Sequence, residues 1–119
     1  MKKITVAFLF MLTSMALQAQ LDVNGVAGQI VQNLTPALNL NSDQKNEVGN
    51  AVLDFLQKKA EIIPLKKADP AGYAAKFNLL NGGLISKLKT ILLAKQMTSF
   101  LGLKPKMNNP ANVLSHLFY

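Results

Sequence analysis

The chain has 119 residues, half of them apolar, a formal charge of +7 and no cysteine. That length holds one small domain with a thin core. Without cysteine there is no disulfide, thiolate metal site or lipid-anchored cysteine, and all thirteen basic residues are Lys. The bidentate Arg fork that grips phosphate is missing, so nucleic-acid binding is not expected.

Residues 1–19 have the layout of a secretory signal peptide. A basic start at Lys2 and Lys3 is followed by an apolar run from Ile4 to Leu12 and a small, polar exit. The run is short for a bilayer span, which takes roughly 20 apolar residues. Cleavage is expected after Ala19, with Ala16 as the alternative. The reading is therefore a periplasmic or secreted protein with a single helical domain over 20–119. Losing Lys2 and Lys3 leaves eleven Lys against six acidic residues, a balance of +5. Such diffuse charge suits weak attraction to acidic protein clients or to an anionic membrane surface.

Along the mature chain the apolar residues recur at helical spacing. Val23, Val26, Ala27, Ile30, Val31 and Leu34 predict a first helix, which Gly25 and Gly28 weaken by about 1 kcal/mol each. Thr35-Pro36 is expected to interrupt it. Asn41 is a good N-cap, and Gln44 three residues on has capping-box spacing. Behind it Val48, Ala51, Val52, Phe55, Leu56, Ile62 and Ile63 line one face of a second helix, with Asp54 and Lys58 paired four apart on its surface. Pro64 ends it, and residues 65–70 read as a polar connector.

Asp69 before Pro70 is a strong start signal for a third helix. Tyr73, Ala74, Phe77, Leu80, Leu84 and Leu88 form its stripe. Asn81-Gly82-Gly83 falls inside that stripe without breaking its phase, which predicts a weakened but continuous helix. A fourth helix, about Leu93 to Leu101, is expected to stop at Gly102 as a C′ glycine. Asn109-Pro110 repeats the cap-then-proline pattern and should open a last helix bearing Val113, Leu114, Leu117 and Phe118. No stretch alternates with period two. The fold expected is all-α, a small helical hairpin or open bundle of four to five helices.

Chemistry-bearing residues are sparse. His116 is the sole histidine and has no acidic neighbour in sequence. The carboxylates are scattered, no ligand spacing for a metal is present, and Asn81-Gly82-Gly83 lacks the spacing of a phosphate loop. No cofactor, metal or enzymatic activity is expected. The final Ser115-His116-Leu117-Phe118-Tyr119 reads as a hydrophobic helix end packing on the bundle, with a docking peptide as the alternative.

Leu40-Asn41-Ser42-Asp43-Gln44 has an echo in Leu92-Leu93-Ala94-Lys95-Gln96. The paired layout resembles the Spy/CpxP-type periplasmic proteins, whose signature is Leu-Thr-x-x-Gln occurring twice in a small exported helical chain. Leu40, Asn41 and Gln44 match the first motif with Asn in place of Thr. Leu92 and Gln96 match the second, where Leu93 replaces Thr and the cap is lost. The resemblance implies motifs at the helix junctions of an antiparallel, hairpin-like, often homodimeric cradle with an ATP-independent chaperone or envelope-stress role. Phe55, Phe77 and Leu84 would then hold apolar segments of unfolded or amphipathic clients, and Lys58, Lys59, Lys66 and Lys67 would supply reach and attraction. The competing reading buries the apolar residues in the core and leaves the lysines as a solvated face. The alternative function is a structural or interaction subunit, or a self-associating bundle, whose apolar stripes are completed by a partner or by a second copy.

Overall fold

A computed structural model describes residues 22–119; the expected leader lies outside the described residues. The protein is all-α. Its helices are α1 (Val23–Leu38), α2 (Ser42–Ile62), the single turn α3 (Leu65–Ala68), α4 (Pro70–Ile91), α5 (Ala94–Leu101) and the short α6 (Ser115–Phe118). Helix α2 is the centre of the bundle, packed on α1 along one side and on α4 along another. Helix α5 folds back onto α1, and α6 lies on α2. Connections of a few residues make neighbouring long helices antiparallel.

The helix starts follow their capping residues. The Asp22 carboxylate accepts the Gly25 N–H and the Asp69 carboxylate accepts the Gly72 N–H, each at 3.1 Å. A Cβ at either glycine would press into the capping carboxylate, so Asp-x-x-Gly is a matched device used twice. Pro70 sits in the first turn of α4, where its missing N–H costs nothing.

Several expectations change at the ends of elements. Pro36 does not stop α1, which runs on to Leu38. In the final turn proline removes only one hydrogen bond, and the helix closes one turn later instead. There Asn39 takes the left-handed conformation at φ 56°, and the Asn39 and Leu40 N–H groups both donate to the Thr35 carbonyl. Gly102 ends α5 with φ −72°, so no left-handed glycine cap forms. Asn109 opens no helix: its side chain accepts the Ala111 N–H, a local turn, and its own N–H donates to Ser115 Oγ. Helix α6 therefore begins at Ser115. The connector after Pro64 coils into α3, while Asn81-Gly82-Gly83 lies within an unbroken α4.

The core is one cluster running from Ala27, Ile30 and Leu34 of α1, through Val48, Val52 and Leu56 of α2 and Leu84 and Leu88 of α4, to Phe100, Leu117 and Phe118. Phe55 meets Phe77 edge-on at 6.0 Å, and Phe100 meets Phe118 at 5.4 Å. On the surface, Asp54 holds both Lys58 and Lys87, at 3.1 and 3.0 Å. This exposed cluster lowers the Asp54 carboxyl pKa through the hydrogen bonds from Lys87 and then Lys58, and it adds little to stability.

The two proline-associated caps separate cleanly in a stability experiment. Asp69→Ala removes a real helix cap and should cost about 1 kcal/mol, lowering Tm by roughly 4–8 °C. Asn109→Ala removes only a turn contact and should stay within about 0.5 kcal/mol. Thermal melts by circular dichroism read both.

Candidate functional site

The two motif glutamines, 52 residues apart, meet side chain to side chain. Gln44 lies in the first turn of α2 and Gln96 in the first turn of α5. Gln44 Nε2 donates to Gln96 Oε1 at 2.7 Å, and Gln96 Nε2 donates to Gln44 Oε1 at 3.1 Å. Each amide also serves its own helix start. Gln44 Oε1 accepts the Asn41 N–H at 3.1 Å, and Gln96 Oε1 accepts the Leu93 N–H at 2.9 Å.

Each then reaches the end of the helix that precedes the other. Gln44 Nε2 donates to the Ile91 carbonyl at 3.3 Å, and Gln96 Nε2 to the Leu38 carbonyl at 3.1 Å. A glutamine amide has two donor hydrogens and an oxygen with two lone pairs; both amides are fully used. The result is a crossed cap with approximate two-fold symmetry between the α1–α2 and α4–α5 corners.

The halves differ where the sequence differs. Asn41 Oδ1 accepts the Gln44 N–H at 2.8 Å, completing a capping box. Leu93 has no acceptor, so the second corner keeps only the return bond from Gln96. Leu40 and Leu92, the first residues of the two motifs, are both buried beside the pair. A cleft of about 420 Å³ opens over it, between Leu38, Asn39, Leu93, Lys95 and Ser99. With every amide valence of the pair used inside the protein, its floor offers a ligand no free donor or acceptor from the glutamines.

The expected client-binding residues divide differently. Phe55, Phe77 and Leu84 are buried, because the α2 and α4 stripes face each other and are used up in that contact. They form no open surface. Lys59 is also corrected: it is 4% exposed. Its position, four residues after Phe55 and three after Leu56, puts its stem in the core stripe. Lys58 is exposed and pairs with Asp54. Lys66 lies over the Tyr73 ring at 5.2 Å, and Lys67 is exposed. Among the described residues, the exposed large apolar side chains are instead Leu79, Leu93, Leu101 and Met107.

At the opposite end of α2, a second cluster joins the bundle to α6. Lys59 Nζ donates to the His116 carbonyl at 2.7 Å, Asn81 Nδ2 to the Leu117 carbonyl at 2.8 Å, and the Tyr73 hydroxyl to a main-chain carboxylate oxygen of the last residue, Tyr119, at 3.2 Å. The last carbonyls of a helix have no partner within it, and α2 and α4 supply those partners. Tyr119 is held further by its hydroxyl, which donates to the Pro105 carbonyl at 2.6 Å, and by Lys104 over its ring.

Lys59 enters this cluster with no carboxylate partner, only the face of Phe77 at 5.4 Å. Desolvation, helped by the charge of Lys66, pushes its ammonium pKa down to about 8. Burial, with Lys59 and Lys66 adding to it, also lowers the His116 pKa, and burial raises that of Tyr73. One of the three Lys59 ammonium hydrogens is used on the His116 carbonyl, which makes the side chain a cap for that helix end.

Lys59 and Asn81 were missed as contact residues although their sequence phase betrays them. Asn81 lies four after Phe77 and three before Leu84, and polar residues in an apolar stripe need partners. Among the described residues, no three His, Cys, Asp or Glu side chains come together to hold a metal ion, and no helix is long and apolar enough to cross a membrane. No family model, curated protein or solved structure significantly matches the chain.

Two predictions follow from these clusters. Gln44→Met or Gln96→Met alone leaves the other amide and two helix ends short of partners, costing about 1–3 kcal/mol. The double variant should lose less than the sum, with a coupling of about 1–2 kcal/mol by urea unfolding. For pH, the unfolded chain binds more protons than the folded one between the folded and unfolded pKa values of Lys59. Stability should therefore rise from about pH 8, by at most about 3 kcal/mol, until tyrosine ionisation in the unfolded chain reverses the trend above about pH 10. Below pH ~6.5, protonating His116 in its cationic surroundings destabilises the fold. Lys59→Met should flatten the alkaline rise in pH-dependent melts.

Proposed function

We propose that the chain is an exported, non-enzymatic helical protein of the Spy/CpxP type that binds unfolded or amphipathic segments of other proteins in the periplasm. The observation that carries the reading is the Gln44–Gln96 contact. Two half-matching motifs could be chance echoes, since Leu four before Gln is common in helices. Their glutamines placed together at two helix junctions give both motifs one joint structural task, which independent echoes do not require.

Of the residues the sequence points to, the client-contacting surface keeps Lys58 and leaves out the buried Phe55, Phe77 and Leu84. It is the outer side of α4 and its border with α2, where Leu79 is 78% exposed beside half-buried Leu80 and Ile62. Lys58, Lys76 and Glu61 rim that groove. Apolar contact holds a collapsed segment there, and the flexible Lys stems add attraction without fixed geometry. The activity uses no nucleotide and no metal.

A second reading is favoured by the burial of Phe55, Phe77 and Leu84: a closed core suits a structural subunit that presents Leu79 to one fixed partner. Light scattering distinguishes the two. As a client-binding protein, the mature chain suppresses aggregation of a chemically denatured test protein without nucleotide, and Leu79→Lys weakens that suppression severalfold while leaving the melt unchanged. A chain that leaves the scattering untouched at several-fold excess is not a client-binding protein.

A further inference from the structure

The contacts made by residues 113–119 are those of a ligand in a site. Leu114, Leu117 and Phe118 are buried, with Phe118 against Phe100 of α5, so the segment anchors through apolar side chains at the start and on one face of a single helical turn. Its backbone is then read separately. Three side chains from α2 and α4 each donate to a different main-chain oxygen: the His116 and Leu117 carbonyls and a carboxylate oxygen of Tyr119, the last residue.

These donors are ill suited to an ordinary core. Lys59 brings a buried ammonium without a carboxylate, and Asn81 and Tyr73 bring polar ends to an otherwise apolar wall. Taken out of water, each needs an acceptor, or its burial costs free energy. Carbonyls at the end of a helical segment are the acceptors they find. Recognition of this kind depends on apolar anchors and a helix end, and much less on which residues supply them.

The segment is also connected in the manner of a tethered ligand. Between α5 and α6 the chain runs through turns and irregular backbone over residues 102–114, with Lys104, Lys106, Met107, Asn108 and Asn109 exposed. Beneath it, the Phe55–Phe77 contact and the α2–α4 packing are made by residues of the long helices themselves. The wall therefore does not depend on the tail for its backbone.

We propose that the surface of α2 and α4 built around Lys59, Tyr73, Phe77 and Asn81 is a docking groove for short helical peptide segments with large apolar side chains on one face and free carbonyls at their end, and that the chain's own last segment is its resting occupant. Binding is by displacement: an incoming segment takes over the three main-chain oxygen contacts as residues 113–119 leave. This deepens the client-binding reading and rests on it. It adds a second, occluded site to the open groove at Leu79, and it makes the tail a built-in competitor.

The test uses the full mature chain and a fluorescent synthetic copy of residues 112–119. Apparent affinity falls in proportion to the fraction of molecules whose groove is closed. Leu117→Ala, which removes the tail's fully buried anchor, should therefore bind the labelled peptide about tenfold more tightly than wild type or better. Adding Asn81→Leu should take most of that gain away, while a scrambled peptide should not bind. A variant that keeps its helical circular dichroism but binds no better than wild type overturns the proposal.

If Leu117→Ala loses that helical signal, the wild-type chain decides. Excess peptide should speed amide hydrogen exchange in 113–119 and leave α1, α2 and α4 protected; unchanged protection of the tail overturns the proposal. The readouts also separate this proposal from its premise. Aggregation suppressed without peptide displacement overturns the groove alone, whereas displacement without suppression supports the groove and overturns the client-binding role.

Discussion

Two neutral amides hold the corners of this protein together. Gln44 and Gln96 each tie the start of one helix, the end of another and the opposing amide into one network. A helix end brings unpaired backbone groups wherever it is buried, and here two chain reversals bring such ends to the same place. Charged side chains could satisfy them only with a desolvation cost. Glutamine supplies both a donor and an acceptor without charge, and a pair of them satisfies both corners. The direction of α5 across α1, and with it the position of Phe100 in the core, follows from where that pair sits.

The other end of the bundle handles the same physical problem differently. There the unpaired oxygens lie in α6 and on Tyr119 just after it, and the partners come from three side chains on two helices. One of them is an ammonium buried without a counter-ion, so this end is electrostatically strained where the glutamine end is neutral. A network with every valence filled favours a single arrangement. The Lys59 end has a cost built into it that protonation and solvent can change, which fits a contact made to be exchanged.

Helix existence and phase were legible from the residues. The 3.6-residue stripes placed the long helices, Asp69-Pro70 marked a true start, and the in-phase Phe77, Leu80 and Leu84 carried α4 through Asn81-Gly82-Gly83. Helix ends were less legible, because they depend on which of several local hydrogen bonds wins. Pro36 sits where only one bond is lost, and Asn109 found Ala111 and Ser115 before it could cap a helix. The site was half legible. Spacing identified Gln44 and Gln96 as motif residues, but not that they touch, since contact across 52 residues is set by the tertiary fold. The charge of Lys59 points to the surface, but its phase, four residues from Phe55, lays its stem along the core, and phase decides.

The crossed cap joins two distant corners of the folded chain without a covalent bond. It closes a loop of 52 residues, and the entropy of loop closure rises only slowly with length, so a noncovalent clasp can hold it. A bond of this kind needs no oxidant to form and no isomerase to correct it. Closing the clasp is therefore independent of the redox potential around the chain.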